Sequence, residues 1–180
     1  MLITHNMKNK KLLLGIAWAW LTCLSANAEV KLPAFFSDGM VMQQQTRANL
    51  WGTATPNAPV KITTSWDKQT YKTIADAKGA WKLALSTPSA GGPYTITFDD
   101  GKLTEIRDIL MGELWLCSGQ SNMEMPMKGF KNQPVENSNT DVMNSRNPQL
   151  RLFTVKRSSS FTPKTDVVGT WQEAVPATVR

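Results

Sequence analysis

Short runs in which apolar and polar residues alternate fill most of residues 29–108, and they constrain the fold more than any other feature. Val60, Ile62 and Thr64 form one such series, and further series end at Leu85 and Phe98. Side chains alternate between the two faces of a strand, so this period indicates strands with one buried face. Turn-forming residues separate the runs at 56–59, 76–79, 89–93 and 99–101. This spacing predicts an antiparallel β-sandwich over residues 29–108.

The pattern changes near residue 110. The run Met111–Cys117 is apolar except at Glu113, which predicts a strand buried on both faces. A serine-bearing turn follows, then a helical turn at 123–127, a possible helix at 136–146 and a second strand at 149–155. A strand, turn, helix and strand in this order predict the truncated start of an α/β domain over residues 109–180. The predicted fold class is therefore mixed, with the β-sandwich first.

Residues 1–28 have the composition of a secretory signal peptide. Lys8, Lys10 and Lys11 precede the apolar stretch 12–25, and a small-x-small cleavage site follows at 26–28. The apolar stretch is shorter than the ~20 residues of a membrane-spanning helix. Cys23 leaves a lipid-anchored alternative open, although the residues before it match a lipid-attachment box poorly. We expect an exported protein, periplasmic or secreted, that is free of the membrane after cleavage.

The net charge and the numbers of histidine and cysteine residues beyond the leader exclude several classes of site. Beyond the leader, 17 basic and 14 acidic residues leave a net charge of +3, too small for a nucleic-acid-binding surface. The single histidine, His5, lies in the leader, and Cys117 is the one cysteine after it. An internal disulfide and a zinc site of thiolates and imidazoles are therefore excluded beyond the leader. We expect no metal and no cofactor.

Ser121 is the candidate catalytic residue. It follows a predicted strand, and the unpaired N–H groups at a helix start stabilise negative charge such as an oxyanion. Gly119 allows a tight bend before it, and Gln120 and Asn122 are candidates to orient the serine or the substrate. The alternative is structural, because Ser121 and Glu124 have the spacing of a capping box. A hydroxyl that caps its own helix is a poor nucleophile.

The stretch ELWLCSGQSNMEMPM at residues 113–127 resembles the nucleophile block of the bacterial sialate O-acetylesterase family, a branch of the SGNH-type carbohydrate esterases. Further segments that resemble this family lie at 36–43, 51–52, 79–81, 90–94 and 147–153. The resemblance implies that Ser121 is the nucleophile and that its backbone N–H lines the oxyanion hole. It also implies an SGNH-hydrolase-like α/β domain and an O-acetylated sugar, sialic acid or another glycan, as substrate.

The resemblance also implies catalytic blocks that the sequence lacks. Esterases of this type carry a late Asp-x-x-His block and middle blocks that supply a glycine and an asparagine to the oxyanion hole. We therefore expect the chain to be the N-terminal portion of a longer esterase and to be inactive alone. The alternative is a non-catalytic β-sandwich that binds glycan or docks onto a partner, followed by a degenerate half-domain.

Structural roles are expected for several other residues. Cys117, Trp81 and Trp115 lie in apolar strand patterns and are predicted to be core. Trp66 lies near a turn and is the best exposed candidate for stacking on a sugar ring. Glu113 and Asp141 have no evident partner in the sequence.

Overall fold

The computed structural model describes residues 29–179, so the predicted leader and Arg180 lie outside the described residues. The fold is mostly β. Its strands in chain order are β1 Val41–Gln43, β2 Arg47–Thr53, β3 Pro59–Thr64, β4 Thr70–Ile74, β5 Ala80–Ser86, β6 Gly91–Asp99, β7 Leu103–Gly112, β8 Asn147–Phe153 and β9 Trp171–Ala174. Two short helices, α1 Ser121–Glu124 and α2 Ser138–Met143, lie between β7 and β8.

The strands form three sheets within the described residues. Five strands make the largest sheet in the order β1-β7-β6-β3-β4, while β2 pairs with β5 and β8 pairs with β9. All of these pairs are antiparallel except β1 with β7, which is parallel. The expectation of a purely antiparallel arrangement is thus wrong at β1. This strand is only three residues long, which is too short for a period of two to be recognised in the sequence.

One hydrophobic core joins the five-stranded sheet to the β2–β5 pair. Ile62 and Phe98 from the large sheet and Leu50 from β2 are completely buried, and Trp81 of β5 is 4% exposed. The Trp81 and Phe98 ring centroids are 5.8 Å apart. Each large apolar side chain buried in this way contributes about 1.5–3 kcal/mol. The predicted period-two faces and the predicted core position of Trp81 are confirmed by this burial.

The turn between β4 and β5 shows how a short polar segment fixes the register. The side chain of Asp76 accepts hydrogen bonds from the N–H groups of Lys78 and Ala80 at 2.8 and 2.9 Å. Gly79 has a φ of +83°, and a Cβ there would lie 2.5 Å from the Ala54 carbonyl oxygen. The turn therefore requires glycine at this position. By contrast, the predicted break at 89–93 is partly wrong, because β6 already begins at Gly91.

Strand β7 passes through the position where the sequence pattern changes. The predicted division between residues 108 and 109 falls inside β7, and Ile109 and Met111 belong to the same core as the preceding strands. The predicted buried strand is wrong beyond Gly112, where β7 ends. An apolar run indicates a strand, but whether it is buried depends on which segments pack against it.

A hairpin of β8 and β9 packs against the segment that precedes β1. The Trp171 indole N–H donates to the Phe35 carbonyl at 2.8 Å, and the Trp171 ring lies 5.2 Å from both the Phe35 and Phe153 rings. The sequence predicts a strand at 149–155 within an α/β domain, whereas β8 runs from Asn147 to Phe153 and pairs antiparallel with β9. Strand β9 was missed. The helical turn predicted at 123–127 begins two residues earlier, as Ser121–Glu124, and the helix predicted at 136–146 is shorter, as Ser138–Met143.

A chain truncated within β7 should be less stable than a chain that keeps the whole of β7. A chain cut after Asp108 loses the core residues Ile109 and Met111 and every pairing partner of β1, which are residues 110–112. We expect residues 29–112 to exceed residues 29–108 in unfolding free energy by at least about 3 kcal/mol, from the two lost side chains. Urea denaturation followed by circular dichroism measures the difference.

A third chain, residues 29–116, is the matched control. Its four additional residues are exposed and add only surface hydrogen bonds of Glu113 and Leu114 with the two glutamines at 43 and 44, so we expect it to exceed residues 29–112 in unfolding free energy by less than about 1 kcal/mol. Equal stability of residues 29–108 and 29–112 would contradict the structural account of β7.

Candidate active site

The segment that leads to Ser121 is irregular and exposed. Residues 113–120 form no strand, and the side chains of Trp115 and Leu116 are 82% and 94% exposed. The prediction that Trp115 and Cys117 belong to the core is therefore wrong, and Cys117 is an exposed free thiol. Together with Met123, Met125 and Met127, these side chains leave a large apolar surface around the candidate nucleophile.

Polar contacts fix the point at which this segment leaves the sheet. The Glu113 carboxylate accepts hydrogen bonds from the side-chain amides of Gln43 and Gln44 at 3.0 and 2.8 Å. The Gln43 side-chain oxygen in turn accepts the Leu114 N–H at 2.9 Å. These two glutamine donors hold the pKa of Glu113 below its ordinary value. Glu113, expected to be unpaired, is thus an anchor that ties the start of the segment to β1.

Ser121 is the first residue of α1 and is exposed. The N-cap position belongs to Gln120, and no side-chain hydrogen bond caps this helix. The Glu124 carboxylate, which a capping box would direct back to the helix start, instead forms an ion pair with Arg157. The capping-box alternative is therefore wrong, and the Ser121 hydroxyl is not engaged by it.

The residues beside Ser121 present polar groups to solvent. Gln120 and Asn122 are both exposed, and the Met123 N–H donates to the Gln120 carbonyl at 3.0 Å. A Cβ on Gly119 would lie 2.8 Å from Met123 Cγ, so glycine leaves room there for a flexible side chain. Gln120, Ser121 and Asn122 thus form one accessible polar edge, at which an ester carbonyl can approach the serine hydroxyl.

The other aromatic candidates are placed differently from expectation. Trp66 is half-buried, with its N–H donating to the Ser86 carbonyl at 3.1 Å and its ring 5.8 Å from Tyr94. Trp51 is also half-buried and donates to the Thr165 carbonyl at 2.9 Å. The interpretation of Trp66 as the best exposed tryptophan is wrong, since Trp115 is far more exposed.

Three residues of the site were not among the candidates that the sequence indicated. Gln43, Gln44 and Arg157 hold the segment around Ser121 through Glu113 and Glu124. The first of these lies in the stretch 36–43, but nothing in its pattern indicates a partner 70 positions away. Such contacts between distant residues appear only once the chain is folded.

Two classes of feature are not found in residues 29–179. Among them, no group of three or more His, Cys, Asp and Glu side chains is arranged to hold a metal ion. No helix within that range has the length and the hydrophobicity needed to cross a membrane.

Comparisons with known proteins give a consistent result. No protein-family model matches the chain. A sialate O-acetylesterase from Pongo abelii is 30% identical over 154 residues, which are 80% of this chain and 29% of that protein. A sialate O-acetylesterase from Homo sapiens is 32% identical over 131 residues, covering 67% of this chain and 25% of that protein.

A solved structure agrees with these sequence matches. The crystal structure of a carbohydrate acetylesterase from Xanthomonas citri superposes with a TM-score of 0.76 at 33% identity, covering 84% of this chain and 34% of that chain. The chain spans between a quarter and about a third of the length of these relatives.

Proposed function

We propose that this chain, which belongs to the sialate O-acetylesterase family of carbohydrate esterases, supplies the nucleophilic serine of an enzyme that removes acetyl groups from sugars. The position of Ser121 carries this proposal. The residue is exposed, begins a short helix, and is not drawn into a capping interaction. A nucleophilic hydroxyl needs this freedom, because attack requires its lone pair to face the substrate carbonyl.

In this proposal the chain contributes to two structural units. The strands of residues 29–108, extended by the rest of β7, form the β-sandwich, and the residues after β7 begin an SGNH-hydrolase-like α/β domain. The core shared by the five-stranded sheet and the β2–β5 pair supports the first unit. The exposed apolar side chains of residues 114–127 support the second, because surfaces of this kind are normally covered by further protein.

The chemistry is an acyl transfer through serine. The Ser121 hydroxyl loses its proton to a general base while its oxygen bonds to the acetyl carbonyl carbon. The carbonyl oxygen becomes an oxyanion, which the Ser121 backbone N–H stabilises, as the resemblance implies. The intermediate then expels the sugar oxygen, which takes up the proton, and leaves acetyl-Ser121. Water attacks the acetyl carbon in the second half-reaction, releasing acetate and restoring the hydroxyl.

The general base comes from polypeptide other than residues 29–179. These residues contain no histidine, and the single histidine of the chain is His5. A Ser–His pair of the usual kind therefore needs a partner from elsewhere. Gln120 and Asn122, exposed on either side of Ser121, orient the serine or the acetylated sugar. The leader composition supports export, to the periplasm or the medium, where extracellular glycans are available.

Chemical labelling tests the assignment of the nucleophile. In the Xanthomonas citri carbohydrate acetylesterase, the segment that matches this chain is replaced by residues 29–179. The resulting chimera is treated with a fluorophosphonate probe. We expect mass spectrometry to find the adduct on Ser121, because only an activated serine reacts quickly with this probe. The 180-residue chain alone should react far more slowly, since residues 29–179 contain no histidine to act as the base. An adduct on another serine of the exchanged segment would remove Ser121 from the mechanism.

A further inference from the structure

A groove lined by residues of β7, of β9 and of the stretch before β1 lies outside the segment that carries Ser121. Its volume is about 390 Å³, which is within the usual range for small-ligand sites. It lies where the stretch 36–38, the start of β7 and the start of β9 meet. Its lining includes Phe36, Ser37, Asp38, Thr104, Glu105 and Trp171. None of its lining residues belongs to 113–146.

The aromatic part of the groove is held rigidly. Trp171 is half-buried, its N–H is bound to the Phe35 carbonyl, and the rings of Phe35 and Phe153 pack against it. Phe36 is 5% exposed and lies edge-on to Trp51 at 4.6 Å between ring centroids. The Trp171 ring, fixed in this way, loses little conformational entropy when a ligand stacks on it, whereas Phe36 is too buried to offer a stacking surface.

The polar part of the groove consists mainly of hydrogen-bond acceptors. Glu105 is held by Arg107 through contacts of 3.1 and 3.2 Å, and one Asp38 oxygen accepts the Arg107 N–H at 2.7 Å. A carboxylate offers about four acceptor positions, so both groups keep acceptor capacity for a ligand. The Ser37 hydroxyl donates to the Ala34 carbonyl at 2.9 Å, which leaves its oxygen able to accept.

We propose that this groove binds a neutral pyranose ring of a glycan, as a carbohydrate-binding site separate from the candidate esterase site. A pyranose has a C–H face that packs on an aromatic surface and hydroxyl groups that donate to carboxylates. Trp171 supplies the surface, and Asp38 and Glu105 supply the acceptors. This inference does not depend on the role of Ser121.

The charge of the groove selects against acidic sugars. Asp38 and Glu105 carry two negative charges; the Arg107 guanidinium pairs with Glu105, whereas Asp38 accepts only the backbone N–H of Arg107. The guanidinium is already engaged by Glu105, so a carboxylate on the ligand meets a net negative site. The ligand class is therefore neutral hexoses or N-acetylhexosamines, and a sialic acid carboxylate is disfavoured here.

Nuclear magnetic resonance titration of the 180-residue chain tests this proposal. Methyl glycosides of glucose, galactose and mannose, N-acetylglucosamine and N-acetylneuraminic acid are added separately, and the Trp171 indole N–H signal is followed. We expect at least one neutral sugar to shift this signal with a Kd of the order of 1 mM, typical of one small polar ring. N-acetylneuraminic acid should bind at least about fivefold more weakly, because of like-charge repulsion.

Matched variants complete the test. Glu105→Gln, at an exposed position, should raise the Kd about fivefold to tenfold by removing a charged acceptor. Glu136→Gln, at an exposed position outside both the groove and the stretch 113–127 that carries Ser121, should leave the Kd unchanged. Absence of any shift at about 50 mM of every neutral sugar, far above the expected Kd, would overturn the proposal. Unchanged affinity in Glu105→Gln, or equal affinity for N-acetylneuraminic acid, would overturn it as well.

Discussion

Ser121→Ala is expected to lower the acetylesterase turnover of the Xanthomonas citri chimera by about 10⁴-fold or more, with little change in stability. Alanine removes the oxygen that bonds to the acetyl carbon, while the backbone N–H proposed for the oxyanion hole remains. Because Ser121 is exposed at the start of a four-residue helix, the substitution removes no packing contact. Hydrolysis of p-nitrophenyl acetate and of an O-acetylated sialic acid measures the effect, and a thermal melt checks the fold.

Ser118→Ala is the matched control for this prediction. Ser118 is also exposed and lies three positions before the candidate nucleophile, outside the helix. We expect its replacement to change turnover by less than about threefold, because it has no part in the proposed acyl transfer. Full activity of Ser121→Ala, or an equal loss in Ser118→Ala, would assign the catalytic serine elsewhere.

Asp108→Asn is expected to reduce the unfolding free energy by about 2–3 kcal/mol, less than the roughly 3–5 kcal/mol lost when a fully buried pair is broken, because the Asp108 side chain is 47% exposed. Arg151 holds Asp108 through two contacts of 2.6 and 3.2 Å, and its side chain is 7% exposed. Loss of the Asp108 charge leaves a buried guanidinium with Glu173 at 3.6 Å as its remaining carboxylate. The melting temperature of the 180-residue chain should fall by roughly 5–10 °C.

The backbone at Asp108 makes asparagine a suitable replacement. Asp108 has a φ of +55°, a conformation that asparagine tolerates better than most residues, so the change tests the charge and not backbone strain. Glu105→Gln is the matched control, because its partner Arg107 is 72% exposed and surface pairs contribute only about 0–1 kcal/mol. If the two variants were equally stable, the pair between β7 and β8 would have no special role in holding the hairpin.

Much of the fold follows from the sequence because its signals are local. The alternation through Val60, Ile62 and Thr64 gives the buried face of β3, and Asp76 with Gly79 gives the turn before β5. The resemblance to the esterase family is likewise carried by continuous stretches, of which 113–127 has the most distinctive residue order. That residue order alone singles out Ser121 as the candidate nucleophile, and the labelling and turnover experiments test its role.

Tertiary structure alone decided which segments are buried and which distant residues meet. The apolar run after Gly112 has the composition of a buried strand, yet Trp115 and Leu116 are exposed, because burial depends on the segments packed against a strand. The contacts of Glu113 with Gln43 and of Arg151 with Asp108 join residues 70 and 43 positions apart. A sequence carries the periodicity that sets local conformation, but such pairings depend on how the sheets pack, which no local pattern specifies.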